Sequence, residues 1–233
     1  MFDSGLLLIG ILFAGIGMLI SFRLKSKFKQ YSEEPLLNHM SGKEVAEKML
    51  RDNGIYDVQV TSTQGFLTDH YNPATKVVNL SDEVYNGHSV ASAAVAAHEC
   101  GHAVQHAKAY SWLNLRTSLV PIVQISSNLM NIMFLGLFFV AYAIPSMGNK
   151  MLLVIIVCQA AITLFSVVTL PVEVDASRRG LQWLNSAGIT HGEEHVHAKD
   201  ALTWAAYTYF AAALGAIASL IYLIMRFMGN NRD

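Results

Sequence analysis

The chain has 233 residues, 53% hydrophobic and only 14% charged, with a mean hydropathy of +0.36. A soluble domain carries about 25% charged residues, so this composition excludes an ordinary water-soluble globule and a disordered chain. The net charge of −1 offers no field for nucleic acid, and two cysteines, Cys100 and Cys158, exclude a disulfide scaffold or a four-cysteine zinc site.

The first charge-free interval has 19 residues, Ser4 to Phe22, between Asp3 and Arg23. About 20 apolar residues cross the hydrocarbon core as a helix, which predicts a first span over 5–23. A cleaved signal peptide fits poorly, because Asp3 rather than a basic stretch precedes the run and Arg and Lys follow it. The segment is expected to stay as an anchor. Arg23, Lys25, Lys27 and Lys29 come directly after it, and the positive-inside rule puts that end in the cytoplasm.

Residues 24–118 read as a soluble α+β segment. Ser41 with Glu44 forms a capping box, Val45, Ala46, Met49 and Leu50 follow helical spacing, and Gly54 is a stop, so a helix is predicted over 41–53. Alternating, β-branched Val58 to Thr63 suits a strand, and a turn at Asn72-Pro73 leads to a second strand over 76–80. Asp82 to Gly87 reads as a connector, and Ser89 to Ala107, rich in Ala and Val and free of Pro, as a helix. There is no internal repeat.

That last helix carries His98-Glu99-Cys100-Gly101-His102, an H-E-x-x-H. Histidines at i and i+4 lie on one helical face, so both imidazoles reach one metal. Glu99 sits about 100° round from His98, where it serves as a base beside the metal without being a ligand. A zinc ion there lowers the pKa of its water towards ~7 and polarises a carbonyl, while the glutamate passes the proton to the leaving amine. An accidental match occurs on the order of once per 100 chains of this length, and the placement on a helix outside the bilayer strengthens the reading. Gly101 costs about 1 kcal/mol against Ala in a helix, which implies close approach by another element.

Three more charge-free intervals follow, of 33, 22 and 25 residues between Arg116, Lys150, Glu173 and, after Asp200, Arg226. They predict spans over 119–143, 151–171 and 206–227, with a turn at Ile144 to Asn149 closing a hairpin over 119–171. Buried core helices are the plainer reading of one apolar run, but four in one short chain argue against it. Four spans return residues 172–205 to the cytoplasmic side and leave Lys150, Arg226 and Arg232 opposite. Lys, Arg, Asp and Glu are absent from the interior of all four spans, with Arg23 and Arg226 only at their ends, which argues against a transporter. Residues 206–233 form the last span and a short tail.

The metal needs a third ligand. His106 extends the i, i+4 series but lies ~12 Å along the axis from His98, too far to share one metal. It reads as a neighbour of the ligands, a substrate-facing group or polar surface. Glu173 is the better candidate, because the topology returns it to the side of His98 and His102. Asp175 is a weaker candidate, or a partner for a ligand histidine, and His195 and His197 read as surface histidines rather than ligands.

The stretch Ala97 to His106, with Leu170-Pro171-Val172-Glu173, Ala176-Ser177-Arg178-Arg179 and Thr68-Asp69-His70-Tyr71, resembles the YugP-type membrane zinc metallopeptidases over nearly the whole chain. That family is similar in plan to the HtpX membrane proteases. The resemblance implies a mainly α membrane protein, four transmembrane helices with a small α+β zincin-like (gluzincin) unit. It implies one catalytic zinc ion on His98, His102 and Glu173, with Glu99 as general base. HtpX-like relatives usually place an Asp four residues after the Glu, whereas Asp175 comes after two, which leaves its role open. The implied partners are the lipid bilayer and a peptide or protein substrate, membrane proteins among them, with strand 76–80 as an edge receiving an extended peptide. A membrane scaffold or chaperone-like protein with a structural metal site is the alternative.

Overall fold

A computed structural model describes residues 4–143 and 148–230, without the side chains of 134–149 and 230. The described residues form α1 (Ser4–Ser32), α2 (Gly42–Asp52), β1 (Gln59–Thr63), β2 (His70–Asn72), β3 (Val77–Ser81), α3 (Asp82–Asn86), α4 (Val90–Ala107), α5 (Ser111–Ala143), α6 (Gly148–Ser186) and α7 (Gly192–Asn230). They divide into two compact units. One comprises the described residues within 1–19, 114–170 and 209–233, the other 20–113 and 171–208.

The first unit is helical. α1, α6 and α7 are long and apolar enough to cross a membrane. Leu8, Met18 and Leu19 on α1, and Val157, Leu214 and Met225 on α6 and α7, stay more than half exposed. Apolar surface of that extent is unfavourable in water and suits lipid. Gln159 Nε2 and Thr163 Oγ1 on α6 both donate to the Ala216 carbonyl of α7, at 3.3 and 3.1 Å. Such interhelical bonds satisfy polar side chains that hydrocarbon leaves without partners. The predicted span 119–143 is helical within α5, though part of it lies outside the residues whose side chains are described. Of the predicted turn, Ile144 to Met147 lie outside the described residues, and Gly148 and Asn149 already belong to α6.

Each long helix continues past its predicted span: α1 runs on to Ser32, α6 to Ser186, and α7 starts at Gly192. Charge marks where a helix leaves the apolar interval but does not stop it. The stop after α6 comes at Gly188, in the left-handed region at φ 67°.

The second unit packs α2 and α4 against a three-stranded sheet of order β1-β3-β2, with β1 parallel and β2 antiparallel to β3. Its core includes Val45 and Met49 of α2, Val78 and Leu80 of β3, Ala94, Ala97 and Cys100 of α4, and Leu184 and Leu202 of α6 and α7. Thirteen of the 18 residues of α4 are buried, which explains its alanines: a helix enclosed by neighbours needs small side chains on most faces. α2 carries the expected capping box, with Glu44 N donating to Ser41 Oγ and Ser41 N donating to Glu44 Oε2.

Two expectations are corrected. The strand predicted over 76–80 is not an edge, because β3 pairs with β1 on one side and β2 on the other. β2, three residues long and followed by Pro73, is too short to show strand periodicity, yet it is the strand at the edge next to α4. The connector over 82–87 contains the short helix α3.

Candidate metal centre

His98 and His102 stand one turn apart on α4, with ring centroids 4.9 Å apart and planes at 82°. Both aim Nε2 at one atom of α6, Glu173 Oε2, at 3.4 and 3.5 Å. Zinc bonded to nitrogen and oxygen at about 2.0–2.1 Å in a tetrahedron separates its ligand atoms by about 3.3–3.4 Å. Two neutral imidazoles and a carboxylate at this spacing fit that ion. Among the described residues, these three alone form such a group of His, Cys, Asp and Glu.

The remaining ring nitrogens are held from behind. His98 Nδ1 lies 2.9 Å from Ser177 Oγ, and His102 Nδ1 lies 3.1 Å from Gln105 Oε1. Gln105 is fully buried, and its amide nitrogen donates to the Val172 carbonyl at 2.8 Å and to Asp175 Oδ2 at 3.0 Å. Those acceptors fix the amide so that its oxygen faces His102, which puts a proton on Nδ1 and leaves Nε2 as the ligand lone pair. Asp175 also accepts from Arg178 and Arg179. It therefore bears on His102 through Gln105 and does not touch the imidazole. Burial disfavours the charged form of His102, but the neighbouring carboxylates of Glu173 and Glu99 outweigh that and raise its pKa.

Glu99 sits beside the group, with Oε1 4.0 Å from His98 Nε2. Its other oxygen accepts the backbone N–H of Tyr71 at 3.0 Å, so β2 orients this carboxylate. β2 is tied in turn to the end of β3, where Asp69 accepts from the Ser81 N–H at 2.7 Å and from its hydroxyl. Burial pushes the Asp69 carboxyl above its usual range.

The other histidines lie elsewhere. His106 Nδ1 is 3.2 Å from the Tyr71 hydroxyl. His195 Nδ1 is 3.0 Å from Thr190 Oγ1, and His197 pairs with Glu34 at 2.8 Å and stacks on Tyr31. Sequence reasoning missed Ser177, Gln105 and the Tyr71 backbone. Spacing held a signal for two of them: Gln105 follows His102 by three, and Ser177 follows Glu173 by four, so each shares a helical face with a member of the group.

A family model described as "Putative neutral zinc metallopeptidase" matches residues 6–228. The chain is also similar to the "Putative membrane protease YugP" of Bacillus subtilis (strain 168), 39% identical over 219 residues and covering 94% of each chain. No solved structure matches it. With nearly the whole chain matched and a zinc-compatible donor set on two of its helices, the protein belongs to the neutral zinc metallopeptidase family.

Proposed function

We propose that the protein is a multi-pass membrane endopeptidase that cuts peptide bonds with one zinc ion held by His98, His102 and Glu173. The observation that carries this reading is the convergence of three ligand atoms on two helices with the Glu99 carboxylate beside them. When bound, zinc supplies Lewis-acid polarisation of the carbonyl and acidifies the attacking water. Glu99 then takes the proton of that water and delivers it to the leaving nitrogen, which breaks the C–N bond. The Tyr71 N–H keeps Glu99 aimed, since it satisfies one carboxylate oxygen and leaves the other on the His98 side. Ser177 and Gln105 hold the imidazoles in place.

An extended substrate lies along the outer edge of β2, the strand next to Glu99, in place of the edge first expected at 76–80; the Tyr71 N–H is taken by Glu99, so the Tyr71 carbonyl is the backbone group left to receive it. In this reading α5 is a fourth span beside α1, α6 and α7. The basic cluster Arg23, Lys25, Lys27 and Lys29 on the end of α1 supports a site on the cytoplasmic side, and the membrane in this reading is the plasma membrane. Peptides and the cytoplasmic parts of membrane proteins are then the accessible substrates.

The test compares wild type with Glu99→Gln, purified in detergent, for zinc content and peptide hydrolysis. The variant removes the base and no ligand. It should bind one zinc per chain and lose hydrolysis by about 10²–10⁴-fold; undiminished cleavage rules out this mechanism.

A further inference from the structure

A cavity of about 170 Å³ opens between the last turns of α4 and the start of the sheet. Half of its lining is apolar: Ile55 and Val58 ahead of β1, and Ala103 and Ala107 on α4. Tyr71 and His106, joined by their hydroxyl–imidazole hydrogen bond, close one side. Asp57 and Lys76 also line it and neutralise one another in an ion pair, so neither presents an uncompensated charge to the cavity. This volume is below the roughly 300 Å³ at which small-molecule sites begin, and it has room for one large side chain.

The cavity adjoins the candidate catalytic group on two elements. Ala103 follows Glu99 by four residues, one turn or about 6 Å along the same face of α4. Tyr71 contributes to the cavity wall and, through its backbone N–H, the bond to Glu99. A peptide on the β2 edge advances about 3.3 Å per residue and alternates its side chains. A side chain one or two residues from the bond facing Glu99 therefore comes level with the cavity.

Resting on the peptidase reading above, we propose that this cavity is a specificity pocket that takes an aliphatic or aromatic side chain within two residues of the cleaved bond. Small walls at Ala103 and Ala107 leave the space, and the apolar half of the lining, with Ile55 and Val58, rewards an apolar side chain that packs on it.

The test uses the full-length, zinc-loaded protein in detergent and peptides that carry Gly, Leu, Phe, Asp or Lys at each of the two positions on either side of the cut. At one position Leu or Phe should be favoured over Gly by about tenfold or more in kcat/KM. Ala107→Leu, at the exposed lip, and Ala103→Leu, deeper in, fill the cavity and should each bring that ratio close to one. Zinc content and thermal unfolding check that the variants are folded. A second readout does not need turnover: anisotropy of fluorescent peptides bound to Glu99→Gln, alone and combined with Ala107→Leu. Cleavage with an unchanged Leu-to-Gly ratio in both filled variants overturns the pocket and leaves the peptidase standing. No cleavage by wild type, with Leu-selective binding that Ala107→Leu abolishes, overturns the peptidase and leaves the pocket. Absence of Leu-selective binding as well as of cleavage overturns both.

Discussion

Gly101 of α4 faces Ala176 of α6 so closely that a Cβ on Gly101 would collide with the Ala176 carbonyl oxygen. The approach is reciprocal, because a Cβ on Gly180 would stand 2.9 Å from the carbonyl of Ala97. On α4 the residues His98, Gly101, His102 and Gln105 fall at i, i+3, i+4 and i+7, and on α6 so do Glu173, Ala176, Ser177 and Gly180. Each helix thus presents one stripe in which small residues sit among the site's polar ones. The close crossing brings Glu173 to the imidazoles and Ser177 to the back of His98.

Gly101→Ala is accordingly expected to destabilise the protein. Helix propensity alone favours Ala by about 1 kcal/mol, so stabilisation is the outcome if the site is roomy. The Ala176 backbone has no rotamer with which to give way, and forced repacking costs about 1–3 kcal/mol. Thermal unfolding in detergent should show a lower midpoint, together with reduced zinc binding.

Alanine at His98, His102 or Glu173 should each lower bound zinc, whereas alanine at His106, His195 or His197 should leave it at the wild-type ratio. The last three have partners of their own away from the group. Elemental analysis of the purified variants decides the matter. Full zinc in Glu173→Ala with loss in His195→Ala would refute the third ligand.

Gln105 joins His102 to Asp175, so the effect of substitution should fall with distance from the imidazole. Gln105→Leu removes the acceptor of the His102 Nδ1 proton and the amide that donates to the Val172 carbonyl and Asp175, and zinc affinity should fall about 10–100-fold. Asp175→Asn acts one bond further away and should cost less. Competition with a zinc chelator of known affinity measures both; equal losses would mean that Asp175 acts on the ligands by another route.

The topology of the proposed function is tested by cysteine accessibility in intact cells, on a background with Cys100 and Cys158 replaced. Position 147 and the termini should label from outside, while positions 64 and 193 should stay protected until the membrane is opened. Residues 20–113 and 171–208 form one compact unit, so 64 and 193 must behave alike. Labelling of both from outside would reverse the orientation and exclude cytoplasmic substrates, leaving the chemistry intact.

The parts of this protein legible in its sequence are those set by neighbours along the chain. The capping box at Ser41 and Glu44, the paired faces of His98 and His102, and the apolar runs of α1, α6 and α7 depend only on helical repeat and side-chain chemistry. Gly101 signalled a close approach through its cost, but not which element approaches. The tertiary structure decided that Ala176 does, and that β2 rather than β3 lies at the edge beside Glu99. It also decided that Asp175 reaches His102 only through Gln105. A three-residue strand has no periodicity to read, and its place in a sheet is fixed by pairing with Val77 to Asn79. Behind the imidazoles, the bond of His98 to Ser177 joins residues 79 positions apart; that of His102 to Gln105 is local, but the role of Gln105 depends on acceptors 67 and 70 positions away on α6. Such contacts follow from how two helices cross, and the stripe on either helix does not by itself name its partner.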